Sequence, residues 1–152
     1  MSRRDTAPDA SAAIGAALYG LATRAARRLP RDMSLTSAAT LATLDRTGPR
    51  RITDLAAVEG VTQPAMTALV RVLEESGLVE RRGDASDRRV TLVCLTDAGA
   101  TYVRTRRQAG VDAFERLIGE LTGDEIEALL AALPALKHLA ELESQDRDGF
   151  GQ

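Results

Sequence analysis

The sequence predicts a mainly α fold of the α+β kind. It has two short helices joined by a tight glycine turn, a β-hairpin directly after them, and long leucine-rich helices at both ends. Three observations carry this. The stretch Gly60 to Gly77, G-V-T-Q-P-A-M-T-A-L-V-R-V-L-E-E-S-G, holds a whole helix with its start and stop signals. Just after Gly77 the pattern changes from helical to strand-like. Apolar residues recur at helical spacing from Ala10 to Leu29 and again between Thr96 and Leu142.

The chain in order begins with a stretch, 1–9, that reads as disordered and polar. Ile14, Leu18, Leu21 and Ala25 then follow at spacings of 4, 3 and 4, the seam of a packed helix pair. Arg24, Arg27 and Arg28 sit at the end of this helix, where positive charge suits the dipole, and Pro30 stops it. A second helix is expected with Thr36 as its cap, Leu41 and Leu44 inward, and Gly48-Pro49 as its stop. Ile52 to Glu59 reads as a short third helix capped by Thr53, with Leu55 and Val58 inward.

Thr62 is the expected cap of the fourth helix, and Pro64 falls in its first turn, where a missing N–H costs little. Met66, Leu69, Val70 and Leu73 give one buried face. The opposite face carries Gln63, Thr67 and Arg71, one per turn: an amide, a hydroxyl with a methyl, and a guanidinium. By default such a row is a solvated surface. Here a short helix and a glycine turn precede it, which makes the pair a helix-turn-helix, and these three groups match adenine, thymine and guanine edges in a major groove. Thr62, at the helix start, is placed for a phosphate. Ser37, Arg50 and Arg51 are further phosphate candidates.

Leu78 to Arg82 and Arg89 to Leu95 read as strands, linked by the polar segment 83–88. A helix-turn-helix followed by this hairpin is a winged helix, with Arg81, Arg82 and Arg88 as possible phosphate contacts. A long helix then runs from Thr96 to about Glu120, with Tyr102, Val103, Phe114, Leu117 and Ile118 as its apolar positions. Thr122-Gly123-Asp124-Glu125 is a capping box for the last helix, which carries a leucine series and an internal Pro134 expected to kink it or loosen a turn. Residues 144–152 read as frayed. Residues 10–143 are expected to form one domain: 34–99 a DNA-binding winged helix-turn-helix, 10–30 and 100–143 dimerisation helices. A dimer supplies the coupling that a single winged unit, which reads one half-site, needs.

Composition bounds the function. Net charge is −2, but Glu120 to Gln152 hold eight acidic and two basic residues, so residues 1–119 carry +4, a basic body that can face phosphates. Aromatic residues make up 3% of the chain, too few for stacking platforms on single strands. No run approaches the roughly 20 apolar residues of a membrane span, and no secretory signal pattern opens the chain. One cysteine fits a reducing cytoplasm. The sequence has no nucleophile–base set and no phosphate loop, so no enzyme, metal or cofactor is expected. Cys94 reads as a small core residue on a strand; a redox switch is the functional alternative. His138, the one histidine, has no metal-ligand spacing around it.

Three stretches resemble the MarR type of winged helix-turn-helix repressors. Leu35-Thr36-Ser37-Ala38 is similar to the family's helix start. Val61-Thr62-Gln63-Pro64-Ala65-Met66-Thr67 through Leu73-Glu74-Glu75-Ser76-Gly77-Leu78-Val79 looks like its recognition helix and exit. Asp87-Arg88-Arg89, then five residues, Leu95-Thr96 and Gly99 match its wing signature, the most specific of the three. The resemblance covers about residues 10–143, and Pro134 departs from it. It implies a homodimer on double-stranded palindromic operator DNA, released by a small molecule or an oxidant. It places Arg89 in the minor groove with Asp87 bracing it. A small aromatic ligand would sit between the winged region and the dimer helices, where Tyr19, Arg24 and Tyr102 are candidates to supply polar groups. A winged-helix protein-interaction module without a DNA role is the alternative; the polar row lacks the apolar anchors such a module uses.

Overall fold

The computed structural model describes residues 7–27, 32–84, 87 and 89–149 (backbone alone at 7, 8, 144 and 146–149). Among them the order is α1 (Ala7–Ala26), α2 (Leu35–Thr47), α3 (Ile52–Val58), α4 (Gln63–Glu75), β1 (Val79–Gly83), β2 (Thr91–Leu95), α5 (Asp97–Ile118) and α6 (Gly123–Gly149). The chain divides into two compact units, residues 1–31 and residues 32–152, where a single domain over 10–143 was expected.

The second unit is built on one apolar cluster. Leu41 and Leu44 from α2, Leu55 from α3, Met66, Val70 and Leu73 from α4, Val79 from β1 and Val93 from β2 are all buried, with Leu69, Tyr102 and Val103 packed against them. Full burial of a side chain of this size is worth roughly 1.5–3 kcal/mol, so these five elements are held together chiefly by this cluster. The inward residues of α4 are those its sequence spacing implies, with Leu69 only partly covered.

Capping differs from expectation at two helices. Ser34, not Thr36, caps α2: its hydroxyl oxygen accepts the Ser37 amide at 3.0 Å. Thr36 lies inside the first turn, where its carbonyl accepts the Thr40 hydroxyl at 2.8 Å. Thr53 does not cap α3; the cap is Arg51, with no side-chain bond. The reason is the preceding residue. Arg50 and Val93 exchange backbone bonds of 3.1 and 2.8 Å as a β-bridge, which sets the chain direction so that the helix can begin immediately after Arg51. Pairing with a strand forty residues on leaves no mark on the local sequence.

The expected caps of α4 and α6 are present, and Thr96, where the fifth helix was expected to start, caps α5. Thr62 accepts the Ala65 amide at 3.4 Å, Thr96 the Gly99 amide at 3.0 Å, and Thr122 and Glu125 exchange bonds of 3.4 and 2.9 Å. Helix α1 starts at Ala7, inside the segment read as disordered, with Pro8 in the tolerant first turn. Residues 1–6, Arg28 and Pro30 lie outside the described residues. Helix α6 passes through Pro134 and continues to Gly149, beyond its expected end at 143. After the capping box nothing but Pro134 interrupts it before that glycine, and polar residues extend a helix that has already nucleated.

β1 and β2 pair antiparallel from Val79 opposite Leu95 to Gly83 opposite Thr91. The second strand therefore begins at Thr91, not Arg89, which lies in the turn. Gly77 takes φ 71°, the left-handed turn that releases the chain from α4 into β1. The hairpin returns to this corner. The Thr96 hydroxyl donates to the Gly77 carbonyl at 2.7 Å, and the Thr96 amide donates to the Leu78 carbonyl at 3.1 Å. Gly99 packs so closely here that an added Cβ would stand 2.1 Å from the Leu78 carbonyl oxygen and 2.7 Å from the Leu95 Cδ1.

A Gly→Ala change inside a helix ordinarily gains about 0.5–1 kcal/mol. At Gly99 the clash is with backbone that cannot move aside, and overpacking costs about 1–3 kcal/mol or more. Gly99→Ala is therefore expected to lower the denaturation midpoint, while Gly83→Ala, which meets nothing within 4 Å, leaves it nearly unchanged. Chemical denaturation of both variants checks this; equal midpoints would show that the corner yields.

Candidate nucleic-acid interface

The site is built on the outer face of α4. Because Met66, Val70 and Leu73 are fixed in the core, Gln63, Thr67 and Arg71 are turned outward, and all three are exposed. The turn from α3 is closed by the Gly60 amide on the Ala57 carbonyl (3.2 Å) and the Val61 amide on the Ala56 carbonyl (3.0 Å). The Thr67 hydroxyl donates to the Gln63 carbonyl at 2.8 Å, so its hydrogen is committed within the helix and its methyl and lone pairs remain for a partner. Arg71 bonds through Nε to Glu75 Oε1 at 2.8 Å.

These side chains line an open concavity of about 1010 Å³ together with Pro64, Ala68, Val72, Glu74, Glu75 and, from β1, Arg81. Sequence reasoning missed Ala68, Val72, Glu74 and Glu75 because it followed a single row, whereas a helix shows a wider face. One signal was available: Val72 is a branched apolar residue off the buried stripe, and it is 58% exposed.

The wing supplies further cations, each held in a particular way. Arg81 reaches back to Glu74 on α4 (3.5 Å), and Arg82 pairs with Glu80 on its own strand. Asp87 acts on the turn backbone: its Oδ1 accepts the Arg89 amide at 2.9 Å, while its own carbonyl accepts the Val90 amide at 2.9 Å. The bracing expected between Asp87 and Arg89 is thus exerted on the peptide. Arg89 is exposed. Arg88 lies outside the described residues. Arg50 is half-buried, its Nε on the Thr47 hydroxyl at 3.1 Å, so it serves the framework. The Ser37 hydroxyl is paired with that of Ser34 at 2.8 Å at the start of α2.

The residues proposed for a ligand are distributed between the two units: Tyr19 and Arg24 belong to α1, Tyr102 to α5. The Tyr102 hydroxyl donates to Asp32 Oδ2 at 2.7 Å, and Arg106 Nη1 donates to Asp32 Oδ1 at 3.0 Å and to the Tyr102 oxygen at 3.1 Å. This triad fastens the segment ahead of α2 to α5. Asp32 and Arg106 were not singled out from the sequence; the one local hint is the Tyr102–Arg106 spacing of one helical turn. Cys94 is buried on β2. His138 stands exposed beside Glu141, 3.7 Å away.

This arrangement defines a winged helix-turn-helix. Residues 33–91 match the sequence profile of the MarR family. Solved structures agree over most of the chain. The transcriptional regulator Tm0710 of Thermotoga maritima superposes with TM-score 0.75 at 23% identity, over 87% of this chain and 96% of that one. MepR, a transcription regulator of the Staphylococcus aureus multidrug efflux pump MepA, gives TM-score 0.67 at 24% identity over 87% and 97%. MarR of E. coli in its apo form gives 0.63 at 26% identity over 80% and 95%. The winged region of the chain is thus similar to the MarR family, and the fold of the longer chain is that of these solved structures. Among the described residues, no helix is long and apolar enough to cross a membrane.

The Asp32 carboxyl is held below its usual range, chiefly by the Tyr102 hydroxyl and further by Arg106. A depressed carboxyl contributes stability that is present above its unfolded value, about pH 4, and lost as pH falls through the lower folded value. Tyr102→Phe removes the main cause of that depression. The stability gap between parent and variant is therefore expected to be full near neutrality and to shrink as the medium is acidified below the ordinary carboxylate range. Urea midpoints across the acid range measure it; a gap independent of pH would separate the hydroxyl from the carboxylate's ionisation.

Proposed function

We propose that this protein is a sequence-specific DNA-binding transcriptional regulator: a repressor that binds palindromic operator DNA as a homodimer in the cytoplasm and is released by a small-molecule effector. The observation that carries the reading is the outward row Gln63, Thr67 and Arg71, held on a helix whose opposite face is locked into the core. In the major groove these groups suit adenine, thymine and guanine edges. Thr62 and Pro64 stand at the helix start, where free amides favour a phosphate. On the wing, Arg89, positioned by the Asp87-bonded turn, is the minor-groove candidate, and Arg88 and Ser37 are candidates for backbone contacts.

A two-fold symmetric operator asks for a two-fold symmetric protein. Exposed apolar residues on the long helices support the dimer: Ile14 and Leu21 on α1, Phe114 and Leu117 on α5, Leu130 and Leu139 on α6. Release by a small molecule rests on family resemblance, with Tyr19, Arg24 and Tyr102 the starting residues for a search.

Arg71 and Arg89 separate the two halves of this reading. A bidentate guanine contact discriminates by roughly 1–3 kcal/mol, so Arg71→Ala should weaken binding and relax preference at one position in each half-site. The minor groove is read by width and by A·T content, so Arg89→Ala should weaken binding and alter preference only in a flanking A·T-rich segment. Binding-site selection at fixed salt on the parent and both variants tests this. Identical preference changes for the two, or none for either, would defeat the assignment of α4 and the wing to different grooves.

Cys94 bears on the competing reading, a redox-responsive repressor. A sensor thiol is reactive when exposed, and at 7% exposure this one has little access to an oxidant. Cys94→Ser is expected to keep DNA binding and its response to peroxide unchanged, at some cost in stability from the buried hydroxyl. A peroxide-sensitive parent with an insensitive variant would replace the small-molecule effector with an oxidant.

A further inference from the structure

The last turn of α4 carries Glu74 and Glu75 and no basic residue. Negative charge at a helix C-terminus opposes the dipole, and an arginine placed four residues before a glutamate is the weaker order for such a pair. Both carboxylates also line the concavity that is assigned to DNA, where they repel phosphates. Neither helix stability nor phosphate attraction accounts for Glu75. What it does in the structure is hold Arg71: Oε1 accepts from Nε at 2.8 Å, with the two side chains 77% and 61% exposed.

We infer that Glu75 is a positioning residue for sequence discrimination, fixing the Arg71 guanidinium by its Nε edge so that the two terminal nitrogens face one guanine in each half-site. The inference rests on the DNA-binding reading above. Guanine offers O6 and N7 as a pair of acceptors, and a bidentate contact from the terminal nitrogens leaves Nε free for Glu75. An arginine without this partner rotates about several bonds and must be ordered by the DNA itself. Immobilising one such side chain costs about 2- to 10-fold in affinity, and Glu75 meets part of that cost before binding. It also narrows the choice of base, since a guanidinium held by its Nε edge swings less readily to a neighbouring phosphate.

The test uses the full chain and the operator that binding-site selection returns for the parent. Affinity is measured by fluorescence anisotropy for that operator and for the same operator with the Arg71-dependent guanine replaced. Glu75→Ala should reduce the ratio of the two affinities by about 2- to 10-fold per half-site. Binding to unrelated DNA should hold or tighten as a negative charge leaves the surface. Glu75→Gln, whose amide oxygen can still accept from Nε, should restore most of the ratio. In an Arg71→Ala background, Glu75→Ala should change it no further. Thermal unfolding should be unchanged or slightly raised in Glu75→Ala, which separates lost discrimination from lost fold. An unchanged ratio in Glu75→Ala, or the same loss with and without Arg71, overturns the positioning role while leaving DNA binding standing. A parent that selects no sequence overturns both.

Discussion

The corner where α4 hands the chain to β1 is the constraint on which the rest of the structure depends. Thr96 makes three hydrogen bonds there: its hydroxyl oxygen accepts the Gly99 amide and donates to the Gly77 carbonyl, and its amide donates to the Leu78 carbonyl. One residue thus caps α5, receives the end of the hairpin and ties both to the exit of α4. Gly99 permits the approach, since any side chain would meet the Leu78 carbonyl. The Leu95-Thr96 pair followed by Gly99, which marks the end of the wing in the sequence, is therefore a structural joint. Its work is to fix the wing relative to α4, so that two reading elements keep one spacing.

The exposed cations of the interface are held by carboxylates: Arg71 by Glu75, Arg81 by Glu74 and Arg82 by Glu80. Such surface pairs are worth about 0–1 kcal/mol each and weaken with salt. They keep long side chains from wandering but do not lock them against a stronger partner. A polyanion that releases counterions on binding can displace the weaker pairs. This explains how a chain of net charge −2 can still present a usable basic surface: the positive groups are distributed over residues 1–119, and the acidic excess lies in the last helix.

Legibility in the sequence followed the range of the interaction. The caps at Thr62, Thr96 and Thr122 were readable because donor and acceptor lie within three residues. The buried stripe of α4 was readable because periodicity encodes a face. The misplaced caps at Thr36 and Thr53 have a common cause, since a threonine near a helix start matches several registers. At α3 the register is decided by Arg50 pairing with Val93, which no local pattern announces. Asp32 with Tyr102 and Arg106 was invisible for the same reason: seventy residues of chain separate the carboxylate from its partners. The site was legible as a row of residues and illegible as a surface. Gln63, Thr67 and Arg71 were found by spacing; Val72, Glu74 and Glu75 lie beside that row on the wider face of α4, and Arg81 joins them only when β1 is set beside it.

The Asp32 triad is a second joint on the same helix. Asp32 opens the second compact unit, directly ahead of α2, and its partners are on the first turns of α5. α5 begins at the Thr96 joint, so the segment ahead of α2 and the base of the wing are connected through one helix. Arg106 is 12% exposed, so losing the Asp32 carboxylate costs more here than losing a partner at the exposed pairs of the interface. Whatever loosens the triad therefore frees the segment ahead of α2 from the helix that the Thr96 joint fixes.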